Sequence, residues 1–203
     1  METMLLWTLL GFFTGGIPFS VLVGRIFLKT DIRRYGDGNP GGINAWKAGG
    51  LRAGLLAGLL DYLKGVLPVM AARVSGGVDG WTLVPVALAP VFGHAFSPFL
   101  KFRGGKAIAS SLGIWVGLRG IEAPLVFAIP TLIALALQVE HAWTVIVGMA
   151  GLFVYYYTIG GPAYLMAVAA VNLLVFLYKH RVELRRPIQF RPWATNLFLR
   201  RGF

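Results

Sequence analysis

The sequence predicts an all-α integral membrane protein with about seven transmembrane helices, one of them short or partial. The composition is 57% hydrophobic and only 13% charged, whereas a soluble globular domain carries roughly 25% charged residues. The mean hydropathy is +0.70, and apolar runs long enough to cross a bilayer recur along the whole chain. Helices are expected because backbone polar groups in the hydrocarbon core must be satisfied within their own segment. The alternation typical of barrel strands is absent.

Seven apolar segments are the candidate spans. They cover about 5–28, 52–72, 82–98, 106–119, 123–138, 142–158 and 162–179. The fourth is expected to be partial, because the apolar stretch from Ala107 to Leu118 gives about 18 Å of helix against a hydrocarbon core of about 30 Å. The first is expected to be retained and not cleaved as a signal peptide, since Glu2 precedes it and no small-x-small cleavage pattern follows. Residues 1–203 are predicted to form a single polytopic membrane domain.

The distribution of cations predicts the orientation. Most of the 19 Lys and Arg residues lie in three segments, about 29–51, 94–106 and 179–203, which share one side if seven spans alternate. The positive-inside rule then places the N-terminus outside and the C-terminus in the cytoplasm; a five-span chain would also leave the tail inside. The net charge of +11 is thus mostly a property of the cytoplasmic face. It favours anionic lipids and anionic substrates, and no nucleic-acid partner is predicted.

The segment from His94 to Ser111 is the first candidate for a functional site. It places a histidine, three cations and the pair Gly104-Gly105 between two apolar segments. Glycines let the backbone approach a ligand closely, and cations such as Lys101 and Lys106 beside a helix start suit an anion. The segment therefore predicts a phosphate-binding loop. The alternative is a cationic loop that only sets the topology.

The first connection is the second candidate. Six glycines fall within residues 36–50, together with Asn39 and Asn44, so this stretch is expected to be a loop and not ordinary helix. Such a loop can present successive N–H groups to an anion, while Lys47 adds charge. The alternative is a flexible loop whose cations stop translocation.

Charged residues and histidines elsewhere leave their roles open. Asp61 and Lys64 stand three residues apart in the second span and are expected to pair, because unpaired charges at membrane depth are costly; the pair either orients the helix or contacts substrate. His94 is either a structural histidine or a ligand for a phosphate or hydroxyl. His180 lies at the membrane edge, where a helix end can turn it back under the bundle, while the basic tail after it could equally bind anionic lipid.

No metal or cofactor is expected. The chain has no cysteine and three scattered histidines, and it contains no HExxH-like spacing. Neither a Gly-x-Ser-x-Gly elbow nor a Walker-type phosphate loop appears.

The polar motifs resemble those of the bacterial acyl-phosphate:glycerol-3-phosphate acyltransferases (the PlsY type), integral membrane enzymes with seven helices and three cytoplasmic motifs. The segments Gly36–Asn44, Gly93–Ser110 and Lys179–Arg186 are similar to the first, second and third motifs, and Asp61–Gly65 matches an Asp-x-x-Lys-Gly element. The resemblance covers nearly the full length. It implies transfer of a fatty acyl group from acyl phosphate to the 1-hydroxyl of glycerol 3-phosphate, giving lysophosphatidate and phosphate in phospholipid synthesis at the cell membrane.

The resemblance also implies the site residues and the partners. Lys106 and His180 are the expected catalytic residues. The expected substrate-binding residues are Gly36, Asp37, Gly38, Asn39, Gly41, Asn44, Lys47, His94, Lys101, Gly104, Gly105 and Arg181. Acyl phosphate and glycerol 3-phosphate are the expected substrates, with membrane lipids as further partners. Loop amides and Lys106 are expected to hold one phosphate, and Lys47, Lys101 and His180 the other.

Several positions depart from the family pattern. Asp37 stands where the family usually has serine, Lys47 where it has arginine and Glu183 where it has asparagine; residues 139–146 lack the usual Ser/Arg-bearing stretch. Lysine keeps the charge of arginine but loses its bidentate fork. The two added carboxylates leave open a different acceptor, another polyol phosphate or a cationic group. A non-catalytic anion-binding, lipid-binding or transport protein is the further alternative.

Overall fold

The structure, a computed structural model, describes residues 1–199 as a helical bundle. Its helices are α1 (Glu2–Gly16), α2 (Phe19–Phe27), α3 (Gly42–Val74), α4 (Leu83–Ala95), α5 (Ile108–Arg119), α6 (Glu122–Leu137), α7 (His141–Thr158), α8 (Ala163–Lys179) and α9 (Pro192–Leu199). Single 3-10 turns cover Ile32–Arg34, Gly80–Thr82, Pro98–Leu100 and Glu183–Arg185. Within these residues there is no strand, only an isolated antiparallel bridge between Gln138 and Phe190. The end of the predicted basic tail, Arg200 and Arg201, lies outside the described residues.

The all-helical prediction is confirmed, and apolar helices account for most of the chain. Three stretches are long and apolar enough to cross a membrane, Glu2–Phe27, Gly42–Val74 and Gly80–Leu100. Shorter apolar helices follow at Ile108–Arg119, Glu122–Leu137 and Ala163–Lys179. The predicted short fourth helix is also confirmed, since α5 has 12 residues. The number of spans and the placement of the termini stay predictions.

The first apolar segment is divided in two at Ile17 and Pro18. Proline fixes φ and has no N–H to donate, so it interrupts a helix that would otherwise run through. Its first half, α1, packs closely along α4: a Cβ added at Gly15 would collide with the backbone of Pro90. Small residues let apolar helices approach each other to backbone contact. The close pairing of α1 and α4 brings the start of α2 to the end of α4, next to the polar loops.

The prediction that residues 36–50 form a loop is wrong for their second half. Helix α3 begins at Gly42 and continues through residue 48, and Gly49 and Gly50 then break it. Gly50 has φ +76° and ψ −175°, a conformation that other residues avoid. The glycines here serve close packing: Gly54 meets the side chain and backbone of Trp46, so the turns on the two sides of the break touch.

The largest buried side chains lie where α5, α7 and α8 meet. Trp115 on α5 stacks on Tyr156 of α7 with ring centroids 5.7 Å apart, and Phe176 on α8 is fully buried. Many large apolar side chains are instead exposed on the outside of the bundle, Leu5, Leu55 and Leu132 among them. An apolar exterior is what a lipid-facing surface requires. The packed interior fixes the ends of α4, α5 and α8, from which the polar loops emerge.

Candidate active site

Lys106 joins three polar segments that are distant in the sequence. Its Nζ lies 2.7 Å from Asp37 Oδ2 and 2.8 Å from Glu183 Oε1. The partners are 69 and 77 residues away along the chain. The glycine-rich first loop, the Gly-Gly-Lys loop and the tail after α8 therefore meet at one ammonium group, as the prediction of a shared site requires.

Asn44 organises the first loop around Asp37. Its Nδ2 donates to Asp37 Oδ1 at 2.9 Å and to the Asn39 carbonyl at 2.8 Å, and the Asn39 N–H donates to Asp37 Oδ1 at 3.1 Å. Gly36 has φ +59° and lies against Asn44 and the Lys47 ammonium, with no room for a side chain. The loop is thus an ordered turn held by an amide side chain, with Lys47 beside its backbone.

The Gly-Gly pair before Lys106 is fixed to the end of α4. The Gly105 N–H donates to the His94 carbonyl at 3.0 Å, and a Cβ at Gly105 would collide with His94 Nε2. Lys179, at the end of α8, donates from Nζ to the carbonyls of Ala95 and Gly104 at 2.8 and 2.9 Å. The loop therefore requires glycine at both positions, and its carbonyls are held by a lysine that is not a predicted site residue.

A buried polar network supports this loop from inside the bundle. Asp61 is only 2% exposed; it accepts a hydrogen bond from Ser20 Oγ and pairs with Lys64 Nζ at 2.7 Å. Lys64 also donates to the Ile17 carbonyl at 2.8 Å, and His94 Nδ1 lies 3.7 Å from Asp61 Oδ1. The predicted Asp61–Lys64 pair is confirmed. It links the break between α1 and α2, helix α3 and the histidine that lies against Gly105.

Lys106, Asp37 and Glu183 form the Lys106 cluster, and all three side chains keep their charges. Partial burial alone would raise the pKa of Asp37, but hydrogen bonds from Lys106, the Asn39 N–H and Asn44 outweigh it and lower the pKa to about 2. Burial likewise opposes ionisation of Glu183, and the hydrogen bond from Lys106 lowers its pKa. For Lys106 burial acts in the opposite direction, but the two carboxylates raise its pKa. Lys106 is therefore an ammonium at neutral pH.

His180 is buried just beyond α8, as the sequence predicted for a histidine turned back under the bundle. It is 4% exposed, and its ring stands edge-on to Phe176 with centroids 6.4 Å apart. Burial and the nearby Lys106 charge lower its pKa to about 4, so the imidazole is neutral at pH 7. Within residues 1–199 neither ring nitrogen has a hydrogen-bond partner. A buried imidazole with both nitrogens unmatched is costly unless a ligand or water supplies partners.

The comparisons with known proteins identify the family. The model of the glycerol-3-phosphate acyltransferase family matches residues 5–189. The chain belongs to this family. It is 36% identical over 189 residues to glycerol-3-phosphate acyltransferase 1 of Thermotoga maritima, covering 86% of this chain and 93% of the relative. It is 36% identical over 185 residues to the glycerol-3-phosphate acyltransferase of Thermus thermophilus, covering 91% and 92%.

Two solved structures of a family member share the fold. The glycerol 3-phosphate form of PlsY, an integral membrane glycerol 3-phosphate acyltransferase, matches with a TM-score of 0.79 at 27% identity, over 96% of this chain and 98% of that chain. The lysophosphatidic acid form matches with a TM-score of 0.78 at 29% identity, over 90% of each chain. Together with the apolar helices, these matches confirm a multi-pass integral membrane protein.

The structure brings together most, not all, of the predicted site residues. Asp37 contacts Lys106 directly, and the first loop brings Gly36, Asn39, Asn44 and Lys47 near it. His180 lies close enough to Lys106 for the ammonium charge to lower the pKa of its imidazole. His94, Gly104 and Gly105 form the adjoining turn. Gly38 and Gly41 are turn positions that flank Asn39, with φ +74° at Gly38 and an extended cap of α3 at Gly41.

Two predicted residues are not drawn into the cluster by any described contact. Lys101 is exposed and left-handed, with φ +52°, and has no ion pair within residues 1–199. Arg181 folds back on the end of α8, where it donates to the Tyr178 carbonyl at 2.7 Å and its guanidinium lies 4.3 Å from the Tyr178 ring centroid. Their assignment to the substrate stays a prediction.

Sequence reasoning missed three residues that shape the site. Glu183 was recognised as a departure from the family, but its bond to Lys106 follows only from the fold. Lys179 was visible as the first residue of the third motif, and its position before His180 was the available signal. Ser20 offers no such signal, because a single hydroxyl in an apolar helix does not reveal a partner on another helix.

An apolar groove of about 450 Å³ runs between α1 and α3. Trp7, Leu10 and Thr14 line one wall and Leu60, Leu63 and Leu67 the other. Of the described residues that line the groove, only Lys64 is charged. Lys64 pairs with Asp61, which in turn lies beside His94. Lys64 thus connects the wall of the groove to the network that supports the Gly-Gly-Lys loop. Among the described residues, no group of His, Asp or Glu side chains has the arrangement of a metal site.

Proposed function

We propose that this chain transfers a fatty acyl group from acyl phosphate to the 1-hydroxyl of glycerol 3-phosphate, giving lysophosphatidate and inorganic phosphate. The observation that carries the proposal is the convergence of three polar segments on Lys106 in a member of this family. The glycerol 3-phosphate and lysophosphatidic acid forms of the related PlsY support the acceptor and the product. Acyl phosphate as donor rests on the motif resemblance.

In the proposed reaction the glycerol 1-hydroxyl attacks the carbonyl carbon of the acyl phosphate. A C–O ester bond forms, the C–O bond to phosphate breaks, and the hydroxyl proton passes to an oxygen of the leaving phosphate. An ammonium has three N–H donors. Asp37 and Glu183 take two from Lys106, so the third is available to the phosphate. A fixed donor of the protein thus stabilises the negative charge that develops on the leaving phosphate.

The two carboxylates act through Lys106. By raising its pKa they keep it charged, and by holding Nζ from two sides they fix the direction of its remaining N–H. Both are already paired with this lysine, so they are poor partners for a cationic acceptor. The geometry therefore favours an acceptor phosphate over the cationic acceptor that the sequence left open. We propose that Lys47 and His180 hold this phosphate; Lys101 stays a predicted further ligand.

We propose that the groove between α1 and α3 takes the fatty chain of the donor. Its lining is almost wholly apolar, so a fatty chain leaves no polar group unpaired there. Lys64 lies in the wall of the groove, and from it the Asp61–His94 contact leads to Gly105 and Lys106. A chain in the groove would therefore approach the anion loop with its phosphate end.

The chain is proposed to act as one polytopic domain in the cell membrane, with the N-terminus outside, the C-terminus in the cytoplasm and the active site on the cytoplasmic face. The cation distribution supports this orientation. The structure supports a common face for the motif segments, since Asp37, Lys106 and Glu183 meet.

The test is a reconstituted assay with palmitoyl phosphate and labelled glycerol 3-phosphate. The proposal expects lysophosphatidate and inorganic phosphate in equal amounts, without added metal or coenzyme A. Consumption of palmitoyl phosphate without labelled product, and transfer to another added acceptor, would instead show a different acceptor. If palmitoyl phosphate is not consumed at all, the chain is not an acyl-phosphate acyltransferase.

A further inference from the structure

A basic pocket lies at the end of α2, separate from the Lys106 cluster. It has a volume of about 270 Å³ and is lined by Arg25, Lys29, Thr30, Asp31 and Arg34. Three of these residues are cations and one is an acid. None of them is among the predicted catalytic or substrate-binding residues, so the proposed acyl transfer gives this pocket no role.

The single acid of the pocket is already neutralised. Arg33 donates to Asp31 from Nε at 2.9 Å and from a terminal nitrogen at 2.6 Å, and its backbone N–H adds a third hydrogen bond at 3.0 Å. Arg25 is only loosely associated with Asp31, at 3.8 Å. Lys29 and Arg34 are exposed, and neither has an ion pair with an acid within residues 1–199. The pocket thus presents a positive surface that its own acid does not balance.

The pocket is a fixed structure. Helix α2 ends with the N–H groups of Leu28 and Thr30 both bonded to the Gly24 carbonyl at 3.1 Å. Ile32 is fully buried and packs so closely on Gly24 that a side chain there would collide with it. The chain from 28 to 34 is therefore pinned under α2, and the cations before and after the turn face one space.

Lys29 occupies a position that normally belongs to glycine. Its φ is +54°, and the residue after a helix end in this left-handed conformation is usually glycine, which has no Cβ to strain. A lysine held there carries a backbone strain that a glycine would not. Such strain points to a function of the side chain.

The helix face that leads into the pocket is apolar. Leu22 and Ile26 are 37% and 55% exposed, and they share a face with Arg25, because residues three and four apart lie on one side of a helix. Lys29 follows the end of this helix. The opposite face, with Ser20 and Gly24, is buried. One surface therefore runs from apolar side chains within the membrane-spanning stretch to cations at its end.

We propose that this surface binds one anionic glycerophospholipid, with the phosphodiester between Arg25, Lys29 and Arg34 and an acyl chain along Leu22 and Ile26. The order of groups along the face matches that of a phospholipid, apolar chains below a charged headgroup. A soluble phosphate would gain nothing from the apolar half of the face. Charge attraction between anionic lipid and basic residues at a membrane surface contributes about 1 kcal/mol per cation.

The test is native mass spectrometry of the purified full-length protein, titrated with dioleoyl phosphatidylglycerol or dioleoyl phosphatidylcholine in detergent. The wild type is expected to retain one phosphatidylglycerol in preference to phosphatidylcholine. The combined change Arg25→Gln, Lys29→Gln and Arg34→Gln should weaken that binding about tenfold or more. A matched variant with three exposed arginines changed elsewhere, Arg52→Gln, Arg103→Gln and Arg185→Gln, should bind like the wild type. Equal losses in both variants would overturn the site.

Two further measurements separate this proposal from its alternatives. Inorganic phosphate should not displace the bound phosphatidylglycerol; displacement would mean that the pocket serves a soluble anion, and the lipid assignment would be wrong. Lys29→Gly removes both the charge and the left-handed strain. It should raise the melting temperature while weakening phosphatidylglycerol binding, whereas a purely structural lysine would leave lipid binding unchanged.

Discussion

At the scale of single residues, the site is defined by its ion pairs. Sequence motifs were sufficient to predict Lys106, Asp37 and Asn44 as members of one site, because these residues fall within recognisable glycine-rich patterns. They were not sufficient to predict that Lys106 is held by two carboxylates. That contact depends on where three loops, separated by whole helices, end in space, and no local pattern contains this information.

The burial of His180 as a neutral imidazole can be tested by the dependence of protein stability on acidic pH. Its folded pKa of about 4 lies below the ordinary value of 6.5, so below pH 6.5 the unfolded chain takes up this proton more readily than the folded one. Stability contributed by neutral His180 is complete above pH 6.5 and is lost as the pH falls toward 4. At pH 5 the loss amounts to about 2 kcal/mol.

We therefore expect His180→Gln to lose less melting temperature than the wild type between pH 7 and pH 5. Asp37 does not interfere, because its lowered pKa of about 2 confines its own effect to pH values below its ordinary 3.8. The measurement is thermal unfolding in detergent at the two pH values. An identical pH dependence in both proteins would show that His180 is not buried as a neutral group.

At the scale of elements, hydropathy predicted the helices well and misjudged the start of α3. The short α5 could be predicted because the apolar stretch between Lys106 and Arg119 is too short for a full span. The glycines of residues 36–50 were interpreted as loop-forming, whereas Gly42 begins a helical turn and only Gly49 and Gly50 interrupt it. A glycine that allows close packing and one that breaks a helix look identical in sequence.

The break at Gly50 can be tested against a glycine in the same helix. Gly50 combines φ +76° with ψ −175°, and its missing side chain would meet nothing within 4 Å, so Gly50→Ala adds backbone strain alone. We expect a loss of about 1–3 kcal/mol in stability. Gly58 also has free space but lies in regular helix, so Gly58→Ala should stabilise by about 0.5–1 kcal/mol. Thermal unfolding of both variants in the same detergent gives the answer; equal shifts would contradict the assigned break.

At the scale of the whole molecule, composition alone predicted a helical membrane protein. It could not predict how the helices pack laterally, since apolar segments are interchangeable in hydropathy. The contact of α1 with α4 depends on Gly15 facing Pro90, and the link from α2 to α4 depends on Ser20, Asp61 and His94. These are pairings between distant positions. One sequence does not reveal them.

The predicted orientation has a direct test, because the chain contains no cysteine. Ser75 and Arg185 are exposed positions in segments predicted to lie outside and in the cytoplasm, respectively. In intact cells a membrane-impermeant maleimide should label Ser75→Cys at once and Arg185→Cys only after permeabilisation. The reverse pattern would place the active site on the outer face.

The central claim is that the Lys106 cluster performs acyl transfer from acyl phosphate to glycerol 3-phosphate. The most direct measurement is kcat and kcat/KM for palmitoyl phosphate and glycerol 3-phosphate in the wild type, Lys106→Ala and Arg185→Ala. Loss of a fixed charged donor to the leaving phosphate should reduce kcat of Lys106→Ala by about 10² or more. Arg185→Ala, which changes an exposed cation of the same tail, should stay within a few-fold of the wild type. Comparable activity in Lys106→Ala and Arg185→Ala would contradict the account.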